Sequence, residues 1–116
     1  MALQIPDRQP EPGFYHHYKH DPAKGTRDYA YYFHGVGYHT EGDCQPRDRA
    51  MLVYQPLYTE AAVFKAGKAF DLRPLEMIYD PATKNGQPVE RFVRVTDPAQ
   101  IEELKAAYRE MYPAPF

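Results

Sequence analysis

The apolar positions of this chain come in short bursts separated by turn-forming residues, and only the last segment keeps a helical period. Residues 14–18 form a compact aromatic run closed by His20-Asp21-Pro22, which predicts a first strand followed by a turn-rich loop over 23–28. Residues 29–39 are again dense in aromatics. Gly35 and Gly37 interrupt them, as expected where a strand bends or another backbone comes close. A polar loop over 40–49 leads to the buried-looking strand 51–55, which Pro56 either ends or places at a sheet edge. Residues 59–69 read as loop, although Ala61, Ala62 and Phe64 would also suit a helical turn before Gly67. Extended character resumes over 70–79 around Arg73-Pro74. Asn85-Gly86 then suits a tight hairpin whose returning strand is 89–95. Val89, Arg91, Val93 and Val95 share one face of that strand and Glu90, Phe92 and Arg94 the other, so neither face is cleanly apolar.

Helix signals gather only at the end. Asp97 suits an N-cap, Pro98 the first helical position, and Gln100 completes a capping box. Ile101, Leu104, Tyr108 and Met111 then recur at helical spacing, giving one stripe to dock on the sheet or on a partner, and Pro113 stops the run. Upstream of the first strand, Pro6, Pro10 and Pro12 stand among charged residues, which predicts an extended arm with little local structure. The organisation expected is an arm over 1–12, a β domain over 13–96 and a helix over 97–113 packed on it. About five short strands with hard turns fit a mainly β fold, a small, strongly bent barrel whose closure disposes of strand edges.

Composition sharpens this picture. The chain has 116 residues, enough for one core, and its 43% hydrophobic and 26% charged residues are ordinary for a globular domain despite a mean hydropathy of -0.72. Twelve prolines, 11 tyrosines and 6 phenylalanines favour short strands over long helices. Net charge is -2, and each half (1–58 and 59–116) carries one more acid than base, so no basic block supports non-specific nucleic-acid binding. Purely apolar runs such as Ala61-Ala62-Val63-Phe64 are far below the roughly 20 residues of a membrane helix. Residues 1–12 lack the charged start and apolar stretch of a secretory signal. A lone Cys44 excludes an internal disulfide and agrees with a reducing, cytoplasmic setting.

Five stretches resemble an uncharacterised bacterial family, domain of unknown function 1653, whose members are small SH3-like barrels. The opening Gly13-Phe14-Tyr15-His16-His17-Tyr18-Lys19 carries its His-Tyr-Lys signature at His17, Tyr18 and Lys19. Gly35-Val36-Gly37-Tyr38-His39-Thr40-Glu41, Leu52-Val53-Tyr54-Gln55-Pro56-Leu57-Tyr58 and Leu72-Arg73-Pro74-Leu75-Glu76-Met77 resemble the next three blocks, and Gly86 with Arg91-Phe92 the closing hairpin. The resemblance implies an SH3-like barrel and supplies no activity, ligand or catalytic residue. Two positions depart from the pattern: the loop over 21–28 is longer, and Asp71 stands where a large aromatic is expected.

Candidate chemistry is sparse. His16, His17 and His20 invite a metal reading, but on an extended strand His17 points away and His16 and His20 are too far apart to be neighbouring ligands, so no metal site or cofactor is expected. Cys44 lies between Asp43 and Gln45, an environment that opposes thiolate formation. No phosphate loop, nucleophile elbow or other catalytic motif appears. The ligand-binding candidates are His17, Lys19, His39, Glu41, Tyr54, Tyr58, Arg73 and Glu76, which the motif blocks contribute from separate strands and a barrel would gather. Tyrosines offer apolar rings with polar tips, and Arg73 a rigid fork for carboxylate or phosphate. The structural alternative is that Arg73 pairs with Glu41 or Glu76 while the tyrosines fill the core. The expected function is a non-enzymatic module binding a peptide, partner protein or small anionic ligand. The alternatives are a small hydrolase-like enzyme using His39 and Glu41, and RNA or single-stranded DNA binding by tyrosine stacking.

Overall fold

The computed structural model describes residues 6–113, so the part of the expected arm over 1–5 lies outside the described residues. The fold is mainly β, with seven strands in two antiparallel sheets and a C-terminal helix among the described residues. The large sheet contains β1 (Gly13–His17), β2 (Ala30–Tyr38), β3 (Ala50–Pro56), β4 (Asp71–Pro74) and β7 (Phe92–Arg94), in the order β4-β3-β2-β1-β7. β5 (Ala82–Lys84) and β6 (Gln87–Val89) form a separate hairpin. The expected closure into a barrel is not made: among the described residues β4 and β7 are the two edges, and no ladder joins them.

Alternation along the strands puts a separate core on each face of the large sheet. Tyr15, Phe33, Ala50, Leu52 and Tyr54 point to one face, where Leu75 and Ile78 cover them. Phe14, Ala30 and Leu57 point to the other, where Val95 and Leu104 meet them. Leu104 belongs to α2 (Pro98–Met111), so the helix's apolar stripe docks on the sheet. Its start follows the sequence signals, with Pro98 in the first turn and Asp97 Oδ2 accepting from the Gln100 N–H at 2.9 Å. Under α2, Gln55 is 3% exposed yet satisfied, because Oε1 accepts from Tyr108 at 3.2 Å and lies 2.8 Å from His34 Nε2.

Several local expectations change. The bend in β2 is a register shift between Phe33 and Gly35, and Gly37 is needed for close approach, since a Cβ there would lie 3.2 Å from Val53 Cγ2. Pro56 ends a central strand, where it pairs with Tyr31, and does not mark an edge. Within 59–69 the helical alternative takes over as α1 (Ala62–Lys65), stopped by Gly67 at φ +129°. Extended structure over 70–79 stops at Pro74, because a 3-10 turn, Leu75–Tyr79, sends Leu75 and Ile78 together into the core. Asn85 and Gly86, both at positive φ, make the expected two-residue turn. The returning strand breaks at Glu90-Arg91, so 87–89 completes the hairpin and 92–94 joins the large sheet.

Candidate functional site

The polar end of the first core is where sequence-distant side chains meet. Alternation in β2 turns Tyr31 and Phe33 to the same face as Tyr54 of β3, and Phe33 stands directly opposite Tyr54 in the ladder. The Tyr31 ring stands edge-on to Tyr54, with centroids 5.4 Å apart, and its hydroxyl is 2.5 Å from that of Tyr58. Arg73 enters from β4, where its Nε donates to Tyr54 Oη at 3.4 Å. β1 adds His17, packed against Tyr18, Tyr29 and Phe92, and Tyr29 continues to Tyr58 at 5.9 Å between centroids. Tyr54, Tyr58 and Arg73 thus share one connected surface that also includes His17 and Tyr31.

Burial and charge set the protonation states here. His17 is half-buried among rings and faces Lys19, Arg73 and Arg91, so desolvation and then these three cations depress its pKa to about 4. The ring is neutral near pH 7. Its Nδ1 accepts from the Lys19 N–H at 3.2 Å, which leaves Nε2–H as its donor. Burial raises Tyr31 and Tyr58, keeping both as neutral hydroxyls. Burial also raises Asp71, with Arg73 pulling against it. Among the described residues neither Lys19, Arg73 nor Arg91 forms an ion pair. Arg91 Nε donates to the Asp80 carbonyl at 3.4 Å, and both Arg91 and Lys19 lie about 6 Å from the Tyr18 ring centre. Beside Tyr29 and Tyr58 opens a cleft of about 480 Å³, bordered also by Lys24, Arg27, Asp28 and Glu60.

The remaining candidates lie elsewhere. His39 follows β2, and its Nδ1 accepts from the Glu41 backbone N–H at 3.0 Å, a local turn contact that leaves the exposed Glu41 carboxylate outside any base-and-orienter pair. Glu76 approaches Arg47 at 4.0 Å, so Arg73 takes neither of the carboxylate partners considered from sequence. Tyr29, Tyr31, Arg91 and Phe92 were not among the candidates; the period-two run Tyr29, Tyr31, Phe33 was the signal for the first two. Arg91 and Phe92 joined only when the strand broke beside them.

The histidine expectation is also corrected. His16 and His20 stack with ring centres 3.6 Å apart, because the chain turns after β1 and the His20 N–H reaches back to the His17 carbonyl at 2.8 Å. Each ring donates to a carbonyl, His16 Nε2 to Thr26 at 2.8 Å and His20 Nδ1 to Asp28 at 2.5 Å. Among the described residues no group of three or more His, Cys, Asp or Glu side chains is placed to hold a metal ion. No described helix is long and apolar enough to cross a membrane. No family model, curated protein or solved structure matches the chain.

Proposed function

We propose that this chain is a non-enzymatic binding module that takes a carboxylate or phosphate group beside His17, with the peptide or small molecule carrying that group lying over Tyr29 and Tyr58. The observation that carries the reading is the surface built by the Arg73–Tyr54 hydrogen bond, the Tyr31–Tyr58 hydroxyl contact and the half-buried His17 ring, with no ion-pair partner for Lys19, Arg73 or Arg91 among the described residues. A guanidinium fork and a neutral ring N–H are donors without competing acceptor capacity, which suits an anion. The adjoining cleft has the volume of an ordinary small-ligand site and two tyrosine rings along its wall. Four of the eight sequence candidates, His17, Tyr54, Tyr58 and Arg73, belong to this surface, with Lys19 at its rim. Membership of the domain of unknown function 1653 family and a cytoplasmic location are part of the same reading and rest on the motif blocks, the pI near 6.2 and the lone cysteine.

The test is an NMR titration with inorganic phosphate, a phosphopeptide and a peptide with a free C-terminal carboxylate. Resonances of His17, Tyr54, Tyr58 and Arg73 should move together. Arg73→Met should weaken binding on the order of tenfold, as expected for a charge-assisted hydrogen bond. Shifts scattered over the surface, or equal affinity in the Arg73→Met variant, would remove the site.

A further inference from the structure

Residues 6–12 have no regular secondary structure, as the prolines predict, yet they lie against the first core. The Arg8 guanidinium sits 3.8 Å from the centre of the Tyr79 ring. Tyr15 Oη donates to the Glu11 carbonyl at 2.8 Å, and Arg94 holds Glu11 by an ion pair of 2.6 Å while reaching the Pro12 carbonyl at 3.4 Å. The Arg94 guanidinium packs close over Gly13, where an added Cβ would lie 3.3 Å from it. A proline- and arginine-bearing strand is thus held by an aromatic surface in the way an extended peptide ligand would be.

The fit is incomplete. Between the segment and the sheet remains a cavity of about 160 Å³, bordered by Arg8, Pro10, Tyr15, Phe33, Tyr79 and Phe92. The Tyr79 hydroxyl is buried with no hydrogen-bond partner among the described residues. An unpaired buried hydroxyl is costly, and a ligand that filled the volume and reached this oxygen would recover that cost. The attached segment owes its occupancy to being tethered, which places it at an effective concentration on the order of millimolar.

We propose that this groove is a second binding site, which borders the anion site at Arg91 and Phe92, that residues 6–12 occupy it as an internal substitute ligand, and that its partner is an extended, proline-containing peptide with an arginine to lie on Tyr79. Displacement of the segment is then a condition of binding, and apparent affinity is the intrinsic affinity multiplied by the open fraction.

The experiment uses the full chain and a synthetic peptide that repeats residues 6–12, labelled for fluorescence anisotropy. Against the unaltered chain, Arg8→Ala should tighten binding roughly threefold and Arg8→Ala with Pro10→Ala on the order of tenfold, since the substitutions weaken only the tethered competitor. Glu103→Gln, on the exposed face of the C-terminal helix, should change nothing. A peptide lacking its arginine should lose most of its affinity. In the unaltered chain, excess peptide should release the segment, seen as narrowed amide resonances for Asp7, Arg8 and Gln9. Equal affinity across the three chains, or peptide binding without release of the segment, would overturn the proposal. Phosphate affinity at the His17 site should be the same in the unaltered and double-substituted chains, so the two sites fail or succeed separately.

Discussion

Lowering the pH from 7 toward 4 should destabilise the fold through His17, and the size of the loss follows from where that ring sits. In the unfolded chain the imidazole titrates near 6.5; in the folded chain desolvation, Lys19, Arg73 and Arg91 hold it near 4. Between these values the unfolded state carries a proton that the folded state refuses. Stability from His17 is therefore fully present above about pH 6.5 and declines as the pH falls toward 4. At full weight the interval amounts to about 3 kcal/mol; the ring is only half-buried and solvent screens its charged neighbours, so roughly 1–2 kcal/mol is expected. Urea unfolding at pH 7, 6, 5 and 4 in chloride buffer, compared with His17→Gln, measures it. His16, also depressed by burial, destabilises in the same direction in both proteins and cancels in the difference. The curves should converge toward acid by that amount. Proton NMR showing His17 titrating near 6.5, or parallel stability curves, would refute the burial of this ring beside the three cations.

Other expectations concern packing and capping. Leu104→Ala removes a fully buried anchor between α2 and the sheet and should cost about 2–5 kcal/mol in urea unfolding, with fluorescence and far-UV signals changing together. Asp97→Ala deletes the acceptor for the Gln100 N–H and should cost about 1 kcal/mol, with loss concentrated in amide exchange of the first turn of α2. Tyr31→Phe leaves the ring stack but removes a 2.5 Å hydroxyl contact; a loss of about 1 kcal/mol is expected by thermal unfolding, and no loss would mean that Tyr58 finds another partner.

Elements that depend on neighbouring residues were legible in the sequence. Asp97-Pro98 with Gln100 marked the helix start because capping needs only residues three apart, and Asn85-Gly86 marked the hairpin because a two-residue turn needs positive φ at both positions. The aromatics of 29–33 and the apolar run of 51–54 likewise announced strands. What local pattern could not decide is where a strand stops being useful. Residues 75–79 leave the extended path because Leu75 and Ile78 are worth more beneath the large sheet than at its edge. The sheet stays open for a related reason: with a helix over one face and the 3-10 turn over the other, both apolar faces are buried without a ladder from β4 to β7.

The candidate site divides the same way. Position in the motif blocks together with residue chemistry singled out Tyr54, Tyr58, Arg73 and His17, since amphipathic rings, a rigid cation and a titratable imidazole are recognisable by type. Their company was a tertiary outcome. Tyr31 reaches Tyr58 across 27 positions of chain, whereas His39, Glu41 and Glu76, no less suitable by type, end at turns that point elsewhere. The docking of residues 6–12 was equally beyond local reading, because Arg8 and Tyr79 meet only when the 3-10 turn presents that ring to the start of β1. Sequence by itself determined the kinds of element and the kinds of chemistry, which are properties of near neighbours; the tertiary structure decided which of those groups share a surface, because that depends on burying both faces of one sheet at once.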